Sequence, residues 1–266
     1  SQIGSIIRKY GLDQPVHVQY WNWLKQLARG DLGWSQTARM PTAQAIASFF
    51  PATFELTFYM FVPIILIGIW LGTQAAVHKD RFVDHFSRFF AISLRGLPSF
   101  VWGLIVLMAF YGWLGWFPPG RLSLDAEFFV KSAQFHTYTR LMTVDALLNA
   151  QWWIFLDALR HIAGPALTLV LVEMALLVRI TRSSMLEVLR QDYVRTAWAK
   201  GLAERRVVLR HAMKNAALPV FTLVGLQLAV LMGGTVIMEV LFNIPGMGRA
   251  FYEGVLTRDY GMVQGM

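Results

Sequence analysis

Protein chemistry needs nucleophiles, acid–base pairs, metal ligands or phosphate cradles at workable spacing, and this sequence places almost none of them. It contains no cysteine, which removes disulfides, thiolate metal sites and cysteine nucleophiles. Its six histidines, His17, His78, His85, His136, His161 and His211, are scattered, and none falls into a His-Glu-x-x-His or other ligand spacing. No Gly-x-Ser-x-Gly elbow occurs. A Walker-type cradle needs Gly-Lys-Ser/Thr, but the residues before the six lysines are Arg8, Leu24, His78, Val130, Ala199 and Met213. One carboxylate stands apart: Glu173 interrupts the otherwise apolar run Ile162 to Val178. An ionisable residue so placed usually faces a bundle interior or water. Glu173 either lines a polar path or pairs with a polar neighbour.

The elements around these residues belong to a membrane. Of the 266 residues 56% are hydrophobic and 15% charged, against about 25% charged in an ordinary soluble domain. Charge-free runs extend over Leu56 to Val77, Gly96 to Gly120 and Asn215 to Met238, with Ile162 to Val178 as a fourth, weaker span. The formal charge is 24 basic minus 16 acidic, or +8. It is unevenly spread. The gap 179–214 holds nine basic residues against Glu187, Asp192 and Glu204, a net +6, and 78–95 holds four against two. The gap 121–160 is balanced at four and four. The positive-inside rule therefore puts the first and third gaps in the cytoplasm and 121–160 outside, and four alternating spans satisfy it. Both ends of the chain then lie outside. An outside segment of 50 residues with no signal-peptide pattern calls for a preceding span upstream of Ser1. Charge gathered in membrane-flanking loops argues for lipid contact and against nucleic acid.

Outside the spans, Val18, Trp21, Leu24, Leu27 and Ala28 recur at helical spacing, which fits a helix on the membrane surface or a packed extramembrane helix. Pro41-Thr42 and Ser48 to Pro51 read as helix starts, with Pro51 in the first turn of the first span. Pro63 and Pro98 are candidate kinks. Glu239 caps the outer end of the last span, where water would meet it.

The loop 179–214 is the informative segment. Leu186, Leu189, Tyr193 and Ala197 make one helical face, Gly201 interrupts it, and Val207, Val208, Ala212 and Ala216 make a second. Glycine permits the positive-φ turn that a side chain would penalise. The pattern is helix, turn, helix. It serves either as a basic loop fixing topology against anionic lipid or as a docking element for a cytoplasmic partner.

The segment Asp192-Tyr193-Val194-Arg195-Thr196-Ala197-Trp198-Ala199-Lys200-Gly201-Leu202, followed by His211 to Pro219, resembles the EAA loop of ABC-importer permeases, most closely the dipeptide/oligopeptide/nickel branch. Gly11-Leu12-Asp13-Gln14-Pro15, Gly30-Asp31-Leu32-Gly33, Pro51-Ala52-Thr53 with Glu55-Leu56, Pro98-Ser99-Phe100, Leu114 to Gly120, Pro245-Gly246-Met247-Gly248 and Arg258-Asp259-Tyr260 resemble the same branch in the same order. Arg195-Thr196-Ala197 stands where the general motif reads Glu-Ala-Ala, Pro219 lies farther from Gly201 than usual, and Gly261 stands where a proline commonly follows Asp-Tyr.

The resemblance implies an all-α polytopic transmembrane bundle, four spans in this chain and six in the full subunit. It divides the chain into an extracytoplasmic segment 1–50 with interfacial helices, a transmembrane domain 51–242 with periplasmic loop 121–160 and cytoplasmic coupling loop 179–214, and an extracytoplasmic segment 243–266. It implies a multi-pass subunit of a bacterial or archaeal inner membrane that forms a translocation path with a second, homologous permease. Two cytoplasmic ATPase subunits would bind ATP and Mg, none being held by this chain, and a periplasmic or lipid-anchored binding protein would deliver peptides. ATPase coupling would run through a 192–202 helix and its continuation, namely Asp192, Tyr193, Arg195, Thr196, Ala197, Lys200, Gly201, Leu202, Glu204 and Arg205. Glu173 would line the path. A secondary transporter or channel without an ATPase is the alternative.

Overall fold

Helix length is the first thing the apolar runs dictate. The computed structural model describes residues 14–266, so Gly11, Leu12 and Asp13 of the first motif lie outside the described residues. Among these residues, secondary structure is helical apart from one two-stranded ribbon. Two bodies are distinguished by their internal contacts, residues 1–50 with 250–266 and residues 51–249.

In the first body, α1 (Val16–Ala28) precedes strands β1 (Trp34–Ser35) and β2 (Met40–Pro41). The strands pair antiparallel, Trp34 opposite Pro41 and Ser35 opposite Met40. A packed helix needs a buried face, and α1 has none. Tyr20 and Trp21 are more than half exposed, which suits an interfacial helix. The helices α12 (Met247–Leu256) and α13 (Tyr260–Gly265) bring Ala250 and Met262 against Ala45 in a small core. Asp259 closes this body. Its carboxylate accepts from the Ser35 hydroxyl at 2.7 Å, the Thr37 N–H at 2.8 Å and the Met262 N–H at 3.1 Å. Gly261 is explained here: a Cβ at that position would lie 2.5 Å from the Trp34 carbonyl oxygen, so neither proline nor alanine fits without a shift.

The second body is the apolar bundle. Helix α2 (Thr42–Val77) has 36 residues and α7 (Trp152–Leu189) has 38. At about 1.5 Å per residue both exceed the roughly 30 Å hydrocarbon core, so each projects beyond it. The third long apolar helix runs from Glu204 to Gly233. It comprises α9 (Glu204–Arg206), a π-helical stretch Val207–Ala212 and α10 (Met213–Gly234). Leu56, Met60 and Ile64 of α2 meet Ile162, Leu169 and Leu177 of α7 and Val220 of α10 in the main core. Close approach is secured at Gly68, where a Cβ would sit 2.7 Å from Leu177 Cδ2.

The span expected over 96–120 takes a different form. Helix α3 (Phe82–Arg95) ends at Gly96, and α4 (Ser99–Val106) continues as a π-helical stretch Leu107–Trp113. Only together are they long and apolar enough to cross, and they meet at 99°. Pro98 supplies no N–H and biases Leu97 away from helical backbone, so the direction changes between the two helices and not within one. Two other expectations are corrected. Pro51 lies inside α2, because that helix starts at Thr42. The last span ends at Gly234, with α11 (Val236–Leu241) as a separate turn of helix. Beyond α4, α5 (Leu124–Val130) and α6 (Met142–Leu148) pack around a second small core with Ile154 and Ala158 of α7.

Candidate functional site

The segment 192–212 is built from its own apolar residues upward. Helix α8 (Asp192–Ala199) has eight residues and is shorter than the expected 192–202 helix. Lys200 caps it with its N–H on the Thr196 carbonyl, and Gly201 turns at φ +72° with its N–H on the Trp198 carbonyl. Leu202 lies past the turn, so Lys200, Gly201 and Leu202 are not helical. A Cβ at Gly201 would meet nothing within 4 Å, so only the backbone conformation demands glycine.

The inward face differs by one residue from the face read in the sequence. Val194 and Ala197 are the buried pair, packed on Val207 with Val188, Leu189 and Leu202 around them. Tyr193 is turned outward, 42% exposed, and its hydroxyl accepts from Asn215 Nδ2 at 2.6 Å. That bond ties α8 to the first turns of α10. Met185, Ala212 and Ala216 meet Ala76, so the module seats on the ends of α2, α7 and α10 together. The expected second face, Val207, Val208, Ala212 and Ala216, is buried as read.

The outer face is polar with two aromatics. Asp192, Arg195, Thr196, Lys200, Glu204 and Arg205 are exposed, as is Trp198. Arg195 Nη1 reaches Asp192 Oδ1 at 3.3 Å, an exposed pair that adds little stability. Thus the ten residues predicted for coupling are brought together, with Ala197 facing inward, Leu202 half-buried and the other eight exposed. The π-helical stretch that follows is a form frequent at functional sites.

Glu173 lies away from this module, on α7 inside the bundle, and is half-buried. Its backbone carbonyl accepts from Gln227 Nε2 at 3.1 Å. Gln227 is buried and its Oε1 has no hydrogen-bond partner among the described residues. No hydrogen bond or ion pair reaches the Glu173 carboxylate among those residues, so the polar-partner reading finds only a backbone contact.

Several charged residues important to the frame were given another role in the sequence reading, or none. Asp84 on α3 takes Arg182 of α7 bidentately, at 2.5 and 2.6 Å. Glu55 accepts from the Thr143 N–H and hydroxyl and pairs with Arg121 at 2.9 Å. Glu239, expected to meet water, is fully buried. It accepts from the Thr53 and Thr235 hydroxyls and from the Arg249 N–H. Gly246 allows this because a Cβ there would lie 2.4 Å from Glu239 Oε2. The motif Pro245-Gly246-Met247-Gly248 was the available signal; the Asp84–Arg182 pair, 98 residues apart, had none.

Known proteins are similar to this sequence over nearly its whole length. The family described as "Binding-protein-dependent transport system inner membrane component" matches residues 64–266. The chain is 40% identical to the di/tripeptide transport system permease protein DppB of Pseudomonas aeruginosa, over 97% of this chain and 75% of that protein. It is likewise 40% identical to the probable D,D-dipeptide transport system permease protein DdpB of Escherichia coli, over 99% and 76%. It is 35% identical to the glutathione transport system permease protein GsiC of Salmonella typhimurium, over 99% and 76%. With its apolar helical bundle, the chain therefore belongs to the binding-protein-dependent inner-membrane components and is a permease subunit of the ABC-importer type, related to the dipeptide/oligopeptide/nickel branch.

Proposed function

We propose that this chain forms, with a second homologous permease, the path by which peptides cross a bacterial or archaeal inner membrane. ATP is hydrolysed by two cytoplasmic partner subunits, and a periplasmic or lipid-anchored binding protein delivers the cargo. The peptide assignment follows the names of the relatives, which are permeases for dipeptides, di/tripeptides and glutathione. The basic end of the bundle, carrying 78–95 and 179–214, faces the cytoplasm, since those gaps hold the net positive charge. The segments 1–50 and 243–266 and the loop 121–160 then face the periplasm.

One observation carries the coupling role: α8 is seated by buried Val194 and Ala197 on residues continuous with α7 and α10, while its other face stays exposed. A partner groove that moves Arg195, Trp198 and Lys200 moves a short rigid body, because the apolar contacts beneath do not stretch. Displacement passes to α7 through Val188 and Leu189 and to α2 through the Ala76 contact. Tyr193 and its bond to Asn215 add a direct link to α10. Glu173, half-buried with a carboxylate that no described residue hydrogen-bonds, lines the path that this motion opens.

The test is co-purification and coupled transport in proteoliposomes. The wild-type chain retains an ATPase, and Gly201→Trp inserts normally but separates ATP hydrolysis from transport. Failure of the wild-type chain to retain an ATPase, with peptide uptake driven by an ion gradient, would establish an ATPase-independent transporter instead.

A further inference from the structure

Helices α3 and α7 enclose a cleft of about 440 Å³ at the basic end of the bundle. Two helical stripes face each other across it, Arg88, Ile92 and Arg95 from α3 and Arg179, Arg182 and Ser183 from α7. Four arginines therefore line one cleft. Asp84 pairs with Arg182 through two short hydrogen bonds, which leaves three arginines without a hydrogen-bonded carboxylate. No hydrogen bond or ion pair reaches Arg88, Arg95 or Arg179 among the described residues; Asp84 and Glu173 act on Arg88 and Arg95 only through space. Like charges gathered at one cleft raise the local concentration of anions there.

The exposed face of α3 outside the cleft lining says where that anion comes from. Phe82, Phe86 and Phe89 stand on α3 at spacings of four and three, forming a helical stripe, and Phe82 and Phe89 are at least 70% exposed. Phe82 stacks on Phe86 with ring centroids 5.9 Å apart. Helix α3 meets α4 at 99°, so it cannot run parallel to α4 through a bilayer. An aromatic stripe beside a basic stripe, on a helix turned across the bundle, is the pattern of a helix lying in the membrane interface. Its apolar side sinks toward the acyl chains, and its arginines stay at headgroup depth.

We propose that the α3–α7 cleft binds the phosphate of an anionic phospholipid from the cytoplasmic leaflet, with Arg88, Arg95 and Arg179 as its ligands. The placement at that leaflet rests on the orientation proposed above. The lipid's acyl chains leave along the Phe82–Phe86–Phe89 stripe. Arg182 is held in position by Asp84 and borders the phosphate without changing partner. The bound lipid adds a second link between α3 and α7, beside the Asp84–Arg182 pair that already joins them.

The experiment is lipid titration of the full chain, extracted from membranes with the subunits it assembles with, read by native mass spectrometry. Dioleoylphosphatidylglycerol is compared with dioleoylphosphatidylcholine, and inorganic phosphate at millimolar concentration serves as competitor. The wild-type protein prefers phosphatidylglycerol, and phosphate does not displace it. The double variant Arg88→Gln, Arg179→Gln binds phosphatidylglycerol roughly 30-fold more weakly, the product of two basic residues each adding about fivefold near an anionic surface. The double variant Arg88→Lys, Arg179→Lys keeps the preference. Equal wild-type affinity for the two lipids overturns the proposal even if no variant folds, as does an unchanged preference in the glutamine variant. Displacement by inorganic phosphate assigns the cleft to a free anion and overturns the lipid assignment. The measurement uses neither nucleotide nor cargo, so it succeeds or fails independently of the coupling experiment.

Discussion

The two ends of the bundle treat charge in opposite ways. At the end holding Glu55, Asp145 and Glu239, three carboxylates are buried and each is satisfied. Asp145 accepts from the Thr139 N–H and hydroxyl and the Arg140 N–H, while Glu55 and Glu239 gather donors from elements far apart in sequence. At the other end, among the described residues, only Asp84 is handled this way. Arg195, Lys200, Glu204, Arg205 and Arg206 stand in solvent over an apolar base. A buried charge needs every partner built in, so the first end is fixed by its own residues. An exposed charge over a rigid base costs little alone and is free to pair with another molecule. The first end is a clamp, and the second is a contact surface on the reading proposed above.

Removing the clamp should have the largest effect. Glu239→Ala leaves the Thr53 and Thr235 hydroxyls and the Arg249 N–H without their acceptor. A loss of about 3 kcal/mol is expected, since buried unsatisfied groups cost about 1–3 kcal/mol and more when a charge is involved. Detergent unfolding monitored by near-ultraviolet circular dichroism measures it; a change under 1 kcal/mol would erase the distinction between the ends. Next comes Gly201→Trp, which forces a side chain into φ +72° at a cost of about 1–2 kcal/mol. Its main consequence is loss of coupling, read as ATP hydrolysis that no longer responds to cargo.

Glu173→Gln tests the interior between the two ends. Transport should fall several-fold while the unfolding midpoint stays put, because no described residue hydrogen-bonds that carboxylate. A matching drop in stability would recast Glu173 as part of the frame.

A smaller effect is expected at Asp259, in the body formed by 1–50 and 250–266. Burial works to raise its pKa, but the Thr37 N–H, the Ser35 hydroxyl and the Met262 N–H outweigh it and hold the carboxyl below the usual carboxylate range. The folded form therefore releases its proton more readily than the unfolded chain. Its stabilisation is complete above the unfolded value of about 3.9 and is lost as pH falls through the lower folded value. The hydrogen-exchange protection factors of residues 34–41, taken relative to the intrinsic rate at each pH from 5 to 3, should fall at the acid end, and Asp259→Asn should flatten that dependence. The smallest change in stability belongs to Trp198→Ala, within about 0.5 kcal/mol for an exposed site. ATPase retention should nevertheless weaken, and unchanged retention would remove Trp198 from the contact surface.

Three long apolar helices were legible because a membrane span is set by composition and length. The bend between α3 and α4 was not, since Gly96-Leu97-Pro98 can end a helix without fixing the direction of the next. The helical repeat of 192–197 was legible, but its face was read one residue off. Tyr193 and Val194 are both apolar enough, and only the packing on Val207 selects Val194. The turn at Gly201 was legible because positive φ has a residue-level signature. The burial of Glu239 was not. A carboxylate next to an apolar run reads as an end cap until the chain 243–249 folds over it and Gly246 lets the backbone come close.

Hydropathy, the charge imbalance between loops and the ordered motifs thus determined by themselves that the chain is an all-helical membrane permease with a strongly basic segment over 179–214. Each is a local property, fixed by transfer free energy or by the conformational needs of a few residues. Tertiary structure alone decided which charges are clamped and which are left open. That depends on donors from residues as far apart as Thr53 and Glu239 meeting in space, and no local pattern encodes such a meeting.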